Sequence, residues 1–294
     1  MSDKNPIILV PIGFSEQSIT ALEEALIFAE AMQADITLLS VINDDAHLRE
    51  ALEVSKKDTE ELKKKAKIKL EEMAAKYSAD SGINMSTMVA HGVIYEEINR
   101  VVELLEADIV IMGTNGKPSN IFKRFIGSNA YRVANTVKVP VVSIKGIRKT
   151  DKIDTIIFPL ILGGHSKEKV GTALHYARLL NASIKVVSVV NRQQDEKMLR
   201  ANQHQVNTFI NEHGVTSTAH LITNPENKGI IRNTLNFAYE NGGDMIMITE
   251  NDFDRDITEF FLGTDVQAMI YHSEIPVMSI TPRDHKWGGG WSAL

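Results

Sequence analysis

The chain repeats itself. Ile7–Ile42 (IILVPIGFSEQSITALEEALIFAEAMQADITLLSVI) aligns without a gap to Thr155–Val190 (TIIFPLILGGHSKEKVGTALHYARLLNASIKVVSVV). Pro11 meets Pro159, Ala25 meets Ala173, and SVI at Ser40–Ile42 meets SVV at Ser188–Val190. A second pair of blocks follows in the same order, Ala107–Ile144 with Gly243–Ile280. There Asp108 meets Asp244, Gly127 meets Gly263, and Val139-Pro140-Val141 meets Ile275-Pro276-Val277. Two blocks in one order point to duplication, which narrows the fold to one unit used twice. The polar stretch GIRKT, Gly146–Thr150, marks the junction, so the expected domains are 1–148 and 149–294, each of ordinary size.

Within a copy the hydrophobic period alternates between strand and helix. Ile7–Val10 reads as a buried strand, Ser15 (with Ser18 as the alternative) as the N-cap of a helix, and Ala21, Leu22, Ala25, Leu26 and Ala29 as its apolar face. Strands follow at Ile36–Ile42, Met85–Ala90, Ile109–Met112 and Val139–Ile144. Helices follow at Glu50–Tyr77, Ile94–Leu105 and Ser128–Thr136. The first of these carries the stripe Leu52, Leu62, Ala66, Leu70, Met73 and reads as a solvent-facing amphipathic helix. The expectation is an α/β chain of two tandem Rossmann-like domains, each a five-stranded, mainly parallel sheet flanked by helices. Such sheets bind ligands at the carboxyl ends of their strands.

One such end is unusual. Gly113-Thr-Asn-Gly116 follows a strand ending in Met112. After ten intervening residues Gly127-Ser128 opens a helix. Glycine permits close backbone approach, and a helix start offers free N–H groups to an anion. Lys117, Lys123 and Arg124 add positive charge between them. On spacing alone, the same glycines serve equally well to shape a turn and cap a helix.

Together these segments resemble the universal stress protein family. Its signature is G-x2-G-x9-G-[ST] after a hydrophobic-Met-Gly strand end, with a V-P-x-D-x-S start that VPIGFS (Val10–Ser15) resembles and a closing strand that VPVVSI (Val139–Ile144) resembles. The resemblance runs through both halves and implies a tandem protein of the adenine nucleotide alpha hydrolase-like fold, acting in stress response. It implies binding of ATP or another adenine nucleotide, with Mg, in the first domain. Pro11, Ile12 and Gly13 would lie at the adenosine end, and Val41 would meet the base or ribose through its backbone. Met112 and Gly113 would line the ribose–phosphate turn, and Gly116, Gly127, Ser128 and Asn129 would hold phosphates. It also implies pairing of the two copies through their fifth strands, and is compatible with a homodimer. Two features depart from the pattern: Gly13 stands where the family has aspartate, and the spacer has ten residues rather than nine.

The second copy has changed this loop. Thr249, Glu250, Asn251 and Asp252 replace the glycine turn, and Asp254, Asp256 and Glu259 follow. Clustered carboxylates repel phosphate, so this degenerate half is expected not to bind ATP. The alternation Asp252, Asp254, Asp256 fails as a calcium loop because Ile257 and Gly263 occupy the positions that need glycine and glutamate.

Composition limits the remaining classes. The net charge of −6 offers no basic field to nucleic acid. There is no cysteine, hence no thiolate chemistry, and no apolar run approaches the ~20 residues of a membrane span. The start MSDKNPIILV lacks the plan of a secretory signal, so the expected place is the cytoplasm. His91 and His165 follow the expectations for surface histidines, and the Trp287–Trp291 tail is left without a role. No Walker lysine, G-x-S-x-G or H-E-x-x-H element is present, so enzymatic activity is expected to amount at most to slow ATP hydrolysis. The alternative reading is a nucleotide-free scaffold for a protein partner or a small apolar ligand.

Overall fold

A computed structural model describes residues 4–43, 46–54, 58–114, 129–145, 151–160, 169–190, 196–223, 229–249 and 265–280. The chain divides into two compact units, Met1–Lys149 and Thr150–Leu294.

The first unit runs β1 (Ile7–Pro11), α1 (Glu16–Met32), β2 (Asp35–Ile42), α2 (Ala46–Ala51), α3 (Thr59–Ser81), β3 (Met85–His91), α4 (Ile94–Leu105), β4 (Ile109–Gly113), α5 (Asn129–Thr136) and β5 (Val141–Ile144). Its strand order is β3-β2-β1-β4-β5, every neighbouring pair parallel. Ile8, Leu9, Val10 and Ile109–Ile111 are fully buried, as continuous β-branched and aliphatic runs require when helices cover both faces of a sheet.

The second unit runs β6 (Thr155–Pro159), α6 (Lys169–Leu179), β7 (Ser183–Val190), α7 (Glu196–Glu212), β8 (Ser217–Thr223), α8 (Ile230–Glu240), β9 (Met245–Thr249), α9 (Asp265–His272) and β10 (Val277–Ile280). Its order, β8-β7-β6-β9-β10, repeats that of the first unit.

The repetition reaches individual hydrogen bonds. Asp108 accepts from the Ile7 amide at 2.8 Å and returns its own amide to the Ile7 carbonyl at 2.9 Å. Asp244 accepts from the Asp154 and Thr155 amides, both at 2.9 Å, and donates its amide to the Thr155 carbonyl. Each aspartate ties the start of its fourth strand to the start of its first. Left-handed residues also recur: Gln33 (φ 53) and Asn181 (φ 52) after the first helices, Gly82 (φ 73) and Gly214 (φ 80) before the third strands, Glu106 (φ 54) and Gly242 (φ 64) before the fourth.

Ser15 is the N-cap of α1, its side chain accepting from the Ser18 amide. The expected helix Glu50–Tyr77 is instead two. α2 ends as Glu53 turns left-handed at φ 55, with the Val54 amide donating back to the Arg49 carbonyl at 2.9 Å. Asp58 then caps α3, accepting from the Glu60 and Glu61 amides at 3.0 Å each. The first turn of α3 could not have continued α2, because its amides already face that carboxylate. The fifth strand starts at Val141 rather than Val139, after Pro140, which has no N–H to give a ladder.

Candidate functional site

In the first unit the chain steps from β1 to β2 and β3 on one side, then returns to place β4 and β5 on the other. Strand order thus reverses between β1 and β4, and in sheets of this plan ligands occupy the crevice outside the carboxyl ends of the strands at such a reversal. β1 is bonded to β2 as far as Pro11, opposite Leu39, and the buried Ile12 extends the ladder by donating to the Leu39 carbonyl at 2.7 Å. Gly13 comes next and is exposed. A Cβ built there meets nothing within 4 Å, so the position is open in space. α1 begins three residues later, with its amino end and its positive dipole directed at this turn.

Val41 lies on β2 beyond the last residue paired with β1. Peptide groups alternate sides along a strand. The Leu39 carbonyl faces β1, and the Ile42 carbonyl faces β3, where it accepts from Gly92 at 3.0 Å. By that alternation the Val41 N–H and C=O share the side of Leu39 and point past the end of β1 into the crevice. Val41 as a whole is only 8% exposed, and the groups it turns to that side are those of its backbone.

On the other wall Met112 is buried opposite Ser143. Gly113 is glycine for a reason its spacing does not disclose. A Cβ there would lie 2.5 Å from the Gln17 carbonyl oxygen and 2.9 Å from the Ser18 amide nitrogen. The first turn of α1 rests against the end of β4, and only hydrogen fits between them. Thr114 is buried and donates its amide to the Ile144 carbonyl at 2.7 Å. Asn129 opens α5, which buries Ala130, Val133 and Ala134. Gly116, Gly127 and Ser128, with Lys117, Lys123 and Arg124, lie outside the described residues, as do the acidic loop of the second unit, His165 and the Trp287–Trp291 tail. Pro11, Ile12, Gly13, Val41, Met112 and Gly113 thus meet at one end of three adjacent strands.

Phe14 was not singled out in the sequence. It takes φ 58, a conformation that ordinarily costs an L-residue about 1–2 kcal/mol. Its ring packs on a cluster of Ile42, Leu48, Leu52, Val54, Leu62 and Ala66, with Lys69 Nζ 5.2 Å from its centroid. The composition of the segment gives no sign of this, since positive φ at an aromatic residue has no sequence signature.

The equivalent corner of the second unit is built more tightly. Leu160 repeats the bond of Ile12, donating to Val187 at 2.8 Å, and the Ser188 hydroxyl donates to the Leu160 carbonyl at 2.7 Å. Ser40, which corresponds to Ser188, is fully buried, and its hydroxyl has no hydrogen-bond partner. Among the described residues no cluster of three His, Asp or Glu could hold a metal ion, and no helix is long and apolar enough to cross a membrane.

Residues 4–145 match the family model of the universal stress protein family. The chain carries a universal stress protein domain. Two universal stress proteins of Methanocaldococcus jannaschii are similar to it. One is 27% identical over 142 residues, which is 48% of this chain and 83% of that protein. The other is 29% identical over 152 residues, 47% of this chain and 93% of that protein. The crystal structure of a universal stress protein from Archaeoglobus fulgidus matches with a TM-score of 0.74 at 19% identity, over 96% of this chain and 98% of that one. The universal stress protein fold therefore runs through both units, while the sequence match to the family lies in the first.

Proposed function

We propose that the first unit binds an adenine nucleotide, ATP in the first instance, in the crevice at the carboxyl ends of β1, β2 and β4, and that the chain serves a stress response through that binding. The observation that carries this reading is the pairing of an open position at Gly13 with the crevice-facing peptide of Val41. A flat base with a polar edge suits a peptide N–H and C=O beside free space. The ribose would pass Met112 and Gly113, and the phosphates would reach Gly116, Gly127, Ser128 and Asn129, where magnesium would accompany them. What the structure describes of the base side fits such a ligand.

The second unit, with Glu250, Asp252, Asp254 and Asp256 in the corresponding loop, would bind none. The fifth strands β5 and β10 would pair, covering two sheet edges at once, and a homodimer would then use other surfaces. In this reading the protein is cytoplasmic, has no nucleic-acid partner because its net charge of −6 offers phosphates no basic field, and hydrolyses ATP slowly at most.

Titration of the full chain with Mg-ATP tests this, together with mass spectrometry of whatever ligand survives native purification. Saturation at one nucleotide per chain, abolished by Gly127→Glu, is the expected result. Two per chain would overturn the assignment to the first unit. No binding and no retained nucleotide would favour the scaffold reading, which has one observation behind it: Gly13 brings no side-chain acceptor to the crevice.

A further inference from the structure

We infer that residues 46–54 form a strap latched by Phe14 at the carboxyl ends of β1 and β2, and that release of this latch opens the β2 side of the crevice. The strap contributes Leu48, Leu52 and Val54 to the cluster that receives the Phe14 ring, and all three are nearly inaccessible to water. The cluster's other members are Ile42, at the end of β2, and Leu62 and Ala66 on α3. Two lysines of α3 also hold the strap. Lys69 donates to the Ala51 carbonyl and Lys65 to the Glu53 carbonyl, both at 2.9 Å, where α2 leaves carbonyls without helical partners. The Lys69 ammonium also stands over the Phe14 ring, so one cation engages latch and strap together.

The latch is joined to the crevice by the chain itself. Phe14 directly follows Gly13, and Ile42 directly follows Val41. A left-handed Phe14 is held in place by the burial of its ring. Were the ring to leave the cluster, that backbone would relax to negative φ and carry Gly13 with it. The corresponding crossover of the second unit is too short for such a strap. Its β7 ends at Val190 and α7 begins at Glu196, whereas β2 ends at Ile42 and α3 begins only at Thr59. Ile161 and Leu162 stand there at the positions of Gly13 and Phe14. The device belongs to the unit that keeps the glycine signature.

The test needs no nucleotide, so it stands apart from the titration that tests the site itself. The chain has no cysteine, and Ile42→Cys places one thiol beneath the strap, at a position 1% exposed. Its rate of labelling by a small thiol reagent reads strap opening in the full chain. Adding Phe14→Ala should speed labelling about tenfold or more, and adding Lys69→Met about threefold. Amide exchange at Leu52, Glu53 and Val54, whose N–H groups are bonded within the strap, should rise in parallel, while Val110 in the sheet stays protected. Labelling unchanged by Phe14→Ala, with Val110 still protected, overturns the latch. If Phe14→Ala unfolds the unit, Lys69→Met decides alone, and an unchanged rate overturns it equally.

Discussion

The α-carbon of Gly113 faces the Gln17 peptide so closely that a single added methyl would sit 2.5 Å from its carbonyl oxygen. The contact is with backbone, which cannot rotate aside. Gly113→Ala should therefore destabilise the first unit by about 1–3 kcal/mol, the range for overpacking a filled site. Chemical denaturation would show the midpoint of the first unit falling. An unchanged midpoint would mean that α1 shifts away at little cost.

Gly13 presents the opposite case. Its Cβ position is open and its φ is not left-handed, so Gly13→Asp should fold as well as the parent chain. The added carboxylate supplies a hydrogen-bond acceptor at the mouth of the crevice, worth about 1 kcal/mol, or roughly fivefold in affinity for an adenine nucleotide. Isothermal titration of both chains with Mg-ATP measures it. Unchanged affinity in the variant would place the nucleotide elsewhere.

The recurring left-handed positions offer a stability test. The second unit has asparagine and glycine where the first has Gln33 and Glu106. Gln33→Gly and Glu106→Gly remove a Cβ from a conformation that disfavours it and should each stabilise by about 0.5–1 kcal/mol, after glycine's own entropy cost. Thermal unfolding of the double variant, compared with each single, checks both size and additivity.

Two histidines of the second unit make its stability depend on pH. Burial, then the charge of Arg178, lowers the pKa of His175. Burial, then Lys185, lowers that of His220. Both folded values lie below the ordinary 6.5, so the fold prefers the neutral rings. Their contribution is complete above that ordinary value and is lost as pH falls through it toward the folded pKa. The second unit should melt at lower temperature at pH 5.5 than at pH 7.5, and the paired variant His175→Gln, His220→Gln should flatten that slope. An equal slope in parent and variant would assign the effect to other groups.

Much of this architecture could be read from residue order. The strands are runs of β-branched and aliphatic residues short enough to be buried on both faces, and the duplicated blocks fix their order twice. Ser15 announced α1 because a hydroxyl before an apolar period is itself the capping group. The break between α2 and α3 was hidden because Leu52, Leu62, Ala66 and Leu70 continue one helical stripe across it. Leu52 and Leu62 do face one cluster, but Leu52 does so from just past the end of α2 and Leu62 from α3. The signal that resolves it, Asp58-Thr-Glu-Glu61, is a helix start written inside a charged run. That Val41 and Gly13 stand at neighbouring strand ends was legible from motif position. What stands opposite the hydrogen of Gly113 was not, because α1 reaches it only through the fold. The bond that sets Ser188 apart from Ser40 was likewise invisible, since the two residues are identical in kind.

The strap has one more consequence. Because Leu48, Leu52 and Val54 are tethered to β2 by a few residues, their local concentration beside Phe14 is fixed by chain length, on the order of millimolar for so short a link. Any free molecule that seeks the same apolar ground competes with an occupant that cannot be diluted. In the first unit such a molecule would have to exceed that concentration, whereas the short crossover of the second unit leaves no length for a strap of this kind.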